Sequence, residues 1–184
     1  MLSVISMGFM LDVGLAFLFA APIFFSNAAP AIFGGGYPVD AYKNFFDGKR
    51  ILGDHKTLYG LISGLLGGLF LSIIVYYIAH DLMMQLYGGI GLQYPMWIGL
   101  LMGWGCNFGD MFGSFIKRRI NIKSGGSFPV FDQLGYMLFG LLWSWPVFKV
   151  LPWQFLVTLL VISPILHLGT NVFAYSIGVK SVPW

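Results

Sequence analysis

Asn107, Asp110, Ser114 and Lys117 follow one another at intervals of 3, 4 and 3 residues. On a helix that spacing puts all four on one face. Arg118, Arg119 and Lys123 come next, and Asp132 stands across a short loop that ends in Pro129. Paired Asp carboxylates suit a hard divalent cation such as Mg²⁺, which takes oxygen ligands and keeps several waters. Bases beside them suit phosphates, and Arg offers a bidentate fork that Lys lacks. The pattern predicts a site for a polyanion and a metal, with Asp110 and Asp132 as the metal ligands.

The same residue types gather once more, upstream. Lys43, Lys49, Arg50 and Lys56 are interleaved with Asp40, Asp47 and Asp54, and Asn44 lies among them. Eight of the ten Lys and Arg residues thus fall in two islands, and the chain contains no Glu. A cluster that served only to fix membrane orientation would need bases alone. Lys56 and Thr57 stand where a helix begins, a place that favours anions. The Walker spacing is absent.

The eight island bases face five acids, Asp40, Asp47, Asp54, Asp110 and Asp132, leaving a surplus of three positive charges. A divalent cation raises this to about +5. A nucleoside triphosphate brings roughly four negative charges and a lipid phosphomonoester up to about two. The islands together can neutralise both.

The elements that position these groups are membrane helices. The chain is 58% hydrophobic and 9% charged, against about 25% charged in an ordinary soluble domain. Uncharged runs reach the roughly 20 residues that cross a bilayer. Five helices are predicted: Leu2–Phe25, Leu58–Ala79, Pro95–Ile116, Asp132–Phe148 and Trp153–Ile177. Pro30, Pro38 and Gly34–Gly36 break the stretch Ser26–Lys56 out of the membrane. With five crossings, both islands and Lys180 share one side, which leaves Lys149 alone on the other. The positive-inside rule then puts the N-terminus outside, and the islands and the C-terminus in the cytosol. The expectation is an all-α integral membrane protein with two cytosolic polar loops, one domain over residues 1–184. No base precedes Lys43, which argues against a cleaved signal peptide.

Asp110 stands seven residues before the bases, about 10 Å below them within the inner leaflet. A carboxylate at that depth faces a polar cavity as a rule. Gly60, Gly64 and Gly68, and again Gly99 and Gly103, recur every fourth residue, as in close helix packing. Cys106, His80 and His167 read as packing or capping residues. Asp12, about 15 Å into the first helix, has no assigned role.

The string Asp47-Gly48-Lys49-Arg50-Ile51-Leu52-Gly53-Asp54-His55-Lys56-Thr57 resembles a motif of the archaeal CDP-archaeol synthases. Pro22, Asn27 and Pro30 resemble the end of that family's first helix. Gly109-Asp110, Ser114, Lys117-Arg118, Lys123, Pro129 and Asp132-Gln133 resemble the wider phosphatidate cytidylyltransferase signature. The resemblance implies a membrane cytidylyltransferase that joins CTP to an unsaturated archaeal ether-lipid phosphate and releases pyrophosphate. It implies Mg²⁺ on Asp110 and Asp132, and Lys117 at the reacting phosphates. Asn44, Asp47, Lys49, Asp54, Lys56, Thr57, Ser114, Arg118, Lys123 and Pro129 would line the CTP and phosphate sites. The implied partners are CTP, the lipid phosphate and the bilayer, with no nucleic acid. His55 stands where the family usually has Gly. Gly135 stands where an Asp is common, which leaves one metal or two open. Two other classes fit parts of the pattern. A small ion transporter or channel would use Asp12 and Asp110 as an ion path. A lipid-binding scaffold would use the bases but not the interleaved Asp residues.

Overall fold

Helix α1 (Leu2–Phe33) runs straight through Pro22 and Pro30, where the sequence predicts an exit after Phe25. The computed structural model describes residues 2–183, with side chains from residue 8. Met1 and Trp184 of the expected domain lie outside the described residues. Each proline removes one helix hydrogen bond, but packing holds the turn together. The buried Ser26 hydroxyl donates to Gly64 O at 2.5 Å, and Pro30 Cβ faces Gly60. The chain leaves the helix at Gly34, Gly35 and Gly36, where Gly35 and Gly36 have φ of +123° and +76°.

Four more helices follow: α2 (Leu58–Tyr87), α3 (Ile98–Arg119), α4 (Phe131–Phe148) and α5 (Trp153–Ser176). Helix α2 extends beyond the expected Ala79 and ends in a 3₁₀ turn, Gly88–Ile90. His80 does not stop it, because His80 Nδ1 pairs with Tyr94 O at 3.0 Å and Met83 beyond it is buried. Helix α3 begins three residues later than expected, since Pro95 belongs to the turn that caps it, with Ile98 N donating to Pro95 O at 3.0 Å. The same helix carries Lys117, Arg118 and Arg119 in its last turn, where cations suit the helix dipole. Among the described residues three stretches are long and apolar enough to cross a membrane: Gly8–Phe33, Leu58–Ile90 and Trp153–Ser176.

Helix α1 touches each of the other four helices. Its buried Phe19 meets the rings of Tyr94, Phe148 and Phe155 at 5.5–5.9 Å between centroids. Helices α2 and α3 meet along glycines: a Cβ at Gly68 would stand 2.6 Å from Gly99 O. Helices α3 and α4 do the same at Gly109, where a Cβ would stand 2.7 Å from Gly135 O. Backbones this close are the signature of small-residue packing in membranes. Cys106 is buried, with its thiol 3.5 Å from Ile23 O.

Candidate active site

The loop from Gly34 to Thr57 folds around one buried carboxylate. Asp40, 6% exposed, accepts from Arg50 Nη2 at 2.7 Å, from Leu52 N and Gly53 N at 3.0 Å each, and from Tyr42 N at 3.2 Å. Burial alone would raise its pKa. The Arg50 hydrogen bond and the two backbone N–H groups outweigh that and hold the carboxyl down at about 2. Arg50 is pushed up in turn, first by Asp40 and also by Asp54, which accepts from its Nη1 at 2.7 Å. Asp54 is exposed. A bridge between Asn44 and Arg50 makes residues 43–51 a small hairpin.

Arg119 docks that hairpin onto the end of α3. Its Nε lies 2.7 Å from Asp47 Oδ2, and its Nη2 donates to Arg50 O at 2.6 Å and Lys49 O at 3.3 Å. Lys49 Nζ returns a bond to Arg119 O at 2.8 Å. The guanidinium also lies over Phe45 and Phe115. The two islands, distant in sequence, are therefore one surface. Sequence reasoning placed Asp47 and Lys49 in this region but missed Arg119 and Arg50, because nothing in a run of bases says which one points across to another loop.

Beneath this surface lie two lysine–aspartate pairs. Lys56 Nζ bonds Asp110 Oδ2. Lys117 Nζ bonds Asp132 Oδ1 at 2.9 Å and also reaches Gly126 O at 3.3 Å. Phe128 N donates to Asp132 Oδ2 at 2.8 Å, fixing the carboxylate at the start of α4. Asn107 donates to Leu61 O at 3.3 Å, one turn from Asp110, and Ser114 is buried. Thr57 caps α2, accepting from Gly60 N at 3.2 Å and Gly35 N at 3.0 Å. A pocket opens here among Pro30, His55, Lys56, Thr57, Asn107 and Asp110. A larger hollow of about 650 Å³, among Tyr76, His80, Met84 and Trp97, has no Asp, Glu, Lys or Arg in its lining.

Arg118 is the exceptional base. It is 9% exposed, its Nε has no hydrogen-bond partner, and no ion pair reaches it among the described residues. Its Nη1 lies close to Gly53, as does Ser124. A buried guanidinium with no ion pair is costly to keep, and only the charge of Asp54 offsets that cost. Lys123, Asn44 and Pro129 are exposed at the loop surfaces.

Two residues outside the expected site, His167 and Asp12, have further contacts. His167 stacks on Tyr136 at 5.8 Å, and it also interacts electrostatically with Asp132, Asp110 and Lys117. Asp12 accepts a hydrogen bond from the Tyr87 hydroxyl, which ties α1 to the far end of α2.

Among the described residues no three His, Cys, Asp or Glu side chains gather as a metal cage. Two carboxylates with phosphates and water for the rest is the way Mg²⁺ is ordinarily held, so Asp110 and Asp132 fit that ion in chemistry and number.

A family model described as CarS-like, CDP-archaeol synthase, matches residues 9–184. A CDP-archaeol synthase of Thermococcus kodakarensis is 41% identical over 178 residues, which cover 97% of this chain and all of that one. Its counterpart in Pyrococcus horikoshii is 40% identical over 169 residues, 92% of this chain and 95% of that one. A solved structure of an intramembrane enzyme for archaeal membrane lipids biosynthesis superposes with a TM-score of 0.70 at 29% identity. The match covers 85% of this chain and 92% of that one.

Proposed function

This chain belongs to the CDP-archaeol synthase family, a family of membrane cytidylyltransferases, and from that membership we propose the following reaction. A phosphate oxygen of an unsaturated archaeal ether-lipid phosphate, 2,3-di-O-geranylgeranylglycerol 1-phosphate, attacks the α-phosphorus of CTP. The new P–O bond makes the CDP-lipid, the α–β bridging bond breaks, and pyrophosphate leaves with its electron pair. A phosphomonoester is already ionised near neutral pH, so no strong general base is required.

Positioning and charge neutralisation then supply the catalysis. Asp110 and Asp132 would hold Mg²⁺, which supplies charge neutralisation for the leaving pyrophosphate when bound. Lys56 and Lys117, each already beside one of these carboxylates, bind phosphate oxygens. Arg118, buried and with an unpartnered Nε, binds a further phosphate oxygen. Thr57, Ser114 and Lys123 complete the phosphate side, with Pro129 shaping the loop. The hairpin, with Asn44 and Asp54 on its exposed edge, covers the nucleotide, held in place by Asp47 and Lys49. All five helices cross the cell membrane as one domain over residues 1–184, with the N-terminus outside and the site facing the cytosol.

The observation that carries this reading is the pairing of Lys56 with Asp110 and of Lys117 with Asp132, with Asp110 also under the charge of Lys117. An ion path fits less well. The bundle between Asp12 and Asp110 is filled by buried Phe19, Ile23, Met102 and Cys106. The test is purified protein with Mg²⁺, CTP and an ether-linked lipid phosphate, with CDP-lipid as readout. Formation of CDP-lipid supports the proposal. No product under these conditions, or product with Mg²⁺ chelated, overturns it or its metal.

A further inference from the structure

The reaction proposed above needs a seat for the lipid phosphate as well as one for CTP, and one cationic group near the carboxylates has so far no part in it. Helix α5 packs on α1 and α4 and makes no helix contact with α2 or α3 among the described residues. The space between α3 and α5 is nevertheless polar on both sides. Asp110 and Lys117 on α3 interact with His167 on α5.

Residues beyond α5 close this space. Val179 N and Lys180 N both donate to Ala174 O, at 2.9 and 3.1 Å, so the chain turns back toward the bundle. Lys180 Nζ then donates to Asn171 Oδ1 at 2.9 Å. Asn171 in turn lies 3.2 Å from the His167 ring, one helical turn away. The ring stacks on Tyr136, whose hydroxyl is hydrogen-bonded to Ser163 Oγ at 2.9 Å. Ser163 also donates to Gln133 O at 2.8 Å, next to Asp132. A continuous polar chain thus fixes Lys180 relative to the first turn of α4.

In this position Lys180 is partly buried and interacts electrostatically with Lys56, Asp110, Asp132 and Lys117. Burial, and then Lys56, press its pKa downward, and Asp110 and Asp132 oppose them. Lys180 therefore joins Lys56 and Lys117 in the field of two carboxylates. The nucleotide hairpin meets that centre from the side of α2 and the end of α3. Lys180 meets it from α5, a helix that exposes Leu168, Val172, Phe173 and Tyr175, with Leu168 and Tyr175 on the face that carries Asn171. An amphiphile whose chains lie along that face brings its headgroup to Asn171 and Lys180. We propose that Lys180, oriented by Asn171, binds the phosphate of the lipid substrate, opposite the nucleotide seat.

Full-length Lys180→Met, Lys180→Arg and Asn171→Leu variants test this. In steady-state assays Lys180→Met should raise the KM for lipid phosphate about tenfold or more, the scale of one lost charge-assisted hydrogen bond. The KM for CTP should stay within about twofold, since the nucleotide would lose no contact. Lys180→Arg should recover most of the loss, and Asn171→Leu should give a smaller shift of the same kind. Binding without CTP separates this proposal from the reaction it rests on. Neutral-lipid nanodiscs doped with a dialkylglycerol phosphate, against undoped ones, should stabilise the wild type and not Lys180→Met. Wild type that binds the phosphate but forms no CDP-lipid refutes the reaction and leaves the seat standing. A Lys180→Met variant with wild-type lipid KM, or with a raised KM for CTP alone, overturns the seat. Equal damage in Lys180→Arg and Lys180→Met, with both KM values unchanged, also overturns it.

Discussion

Arg119 Nε stands 2.7 Å from Asp47 Oδ2, and this pair joins the two polar loops into one surface. Each partner is partly exposed, so the ion pair by itself contributes about 1 kcal/mol or less. The docking is stronger than the pair because the same guanidinium also reaches two carbonyls and lies over two aromatic rings.

Arg119→Leu should therefore free the hairpin without unfolding the bundle. Amide hydrogen exchange across residues 43–51 should speed up while exchange in α1–α3 stays as it was. The kcat/KM for CTP should fall about tenfold or more, the scale of a loop-held group moved by about 1 Å. Arg119→Lys keeps the charge but loses the fork, and should lie between. Unchanged exchange in Arg119→Leu would remove the docking role.

Asp110→Asn and Asp132→Asn should each abolish CDP-lipid formation, by at least about a hundredfold, with the protein still extracted and monodisperse. Each change removes a carboxylate while keeping the shape of the side chain. In both variants a lysine, Lys56 or Lys117, loses its counter-charge, so the midpoint of thermal unfolding should move as well. Near-normal turnover in either variant would sink the metal assignment for that residue.

Much of this was legible in the sequence because membrane helices and charge islands announce themselves by composition. Among the described residues five α-helices appear where five were expected, and Lys56 and Lys117 each pair with one of Asp110 and Asp132. Helix ends were less legible. Pro30 reads as a breaker, but Ser26 and Gly60 hold the turn through contacts with a helix that starts much later in the chain. His80 reads as a cap, but a carbonyl from the next loop satisfies it inside α2. Arg119, Asn171 and Lys180 were missed for the same reason. Their roles rest on partners that only the folded chain brings near.

The buried Asp40 gives the first loop a pH limit. Its carboxyl lies at about 2 against an ordinary 3.8, so the folded loop binds the proton more weakly than the unfolded chain does. The resulting stabilisation, about 2 kcal/mol, is complete above about pH 4 and is lost as pH falls toward 2. Hydrogen exchange of Leu52 and Gly53, whose amides bond Asp40, should accelerate across that window. Asp40→Asn should exchange fast at every pH and show little further change below pH 4. A slope of equal size in Asp40→Asn would assign the transition to another carboxylate.

The seam between α3 and α4 sets the spacing of the two site carboxylates. Gly109 directly precedes Asp110, and its missing side chain lets Gly135 O come close, one turn after Asp132. A methyl group there would stand 2.7 Å from that oxygen and 2.9 Å from Phe139 Cβ. The first of these neighbours is backbone and cannot rotate away. Gly109→Ala should therefore push the helices apart at a cost of about 1–3 kcal/mol, read as a lower unfolding midpoint in detergent. Because the displacement falls between Asp110 and Asp132, it should also lower kcat more than it raises the KM for CTP. Gly8→Ala, with open space around the added methyl, is the control and should change neither. Full activity and stability in Gly109→Ala would mean that the two helices are not held at this spacing by the glycine.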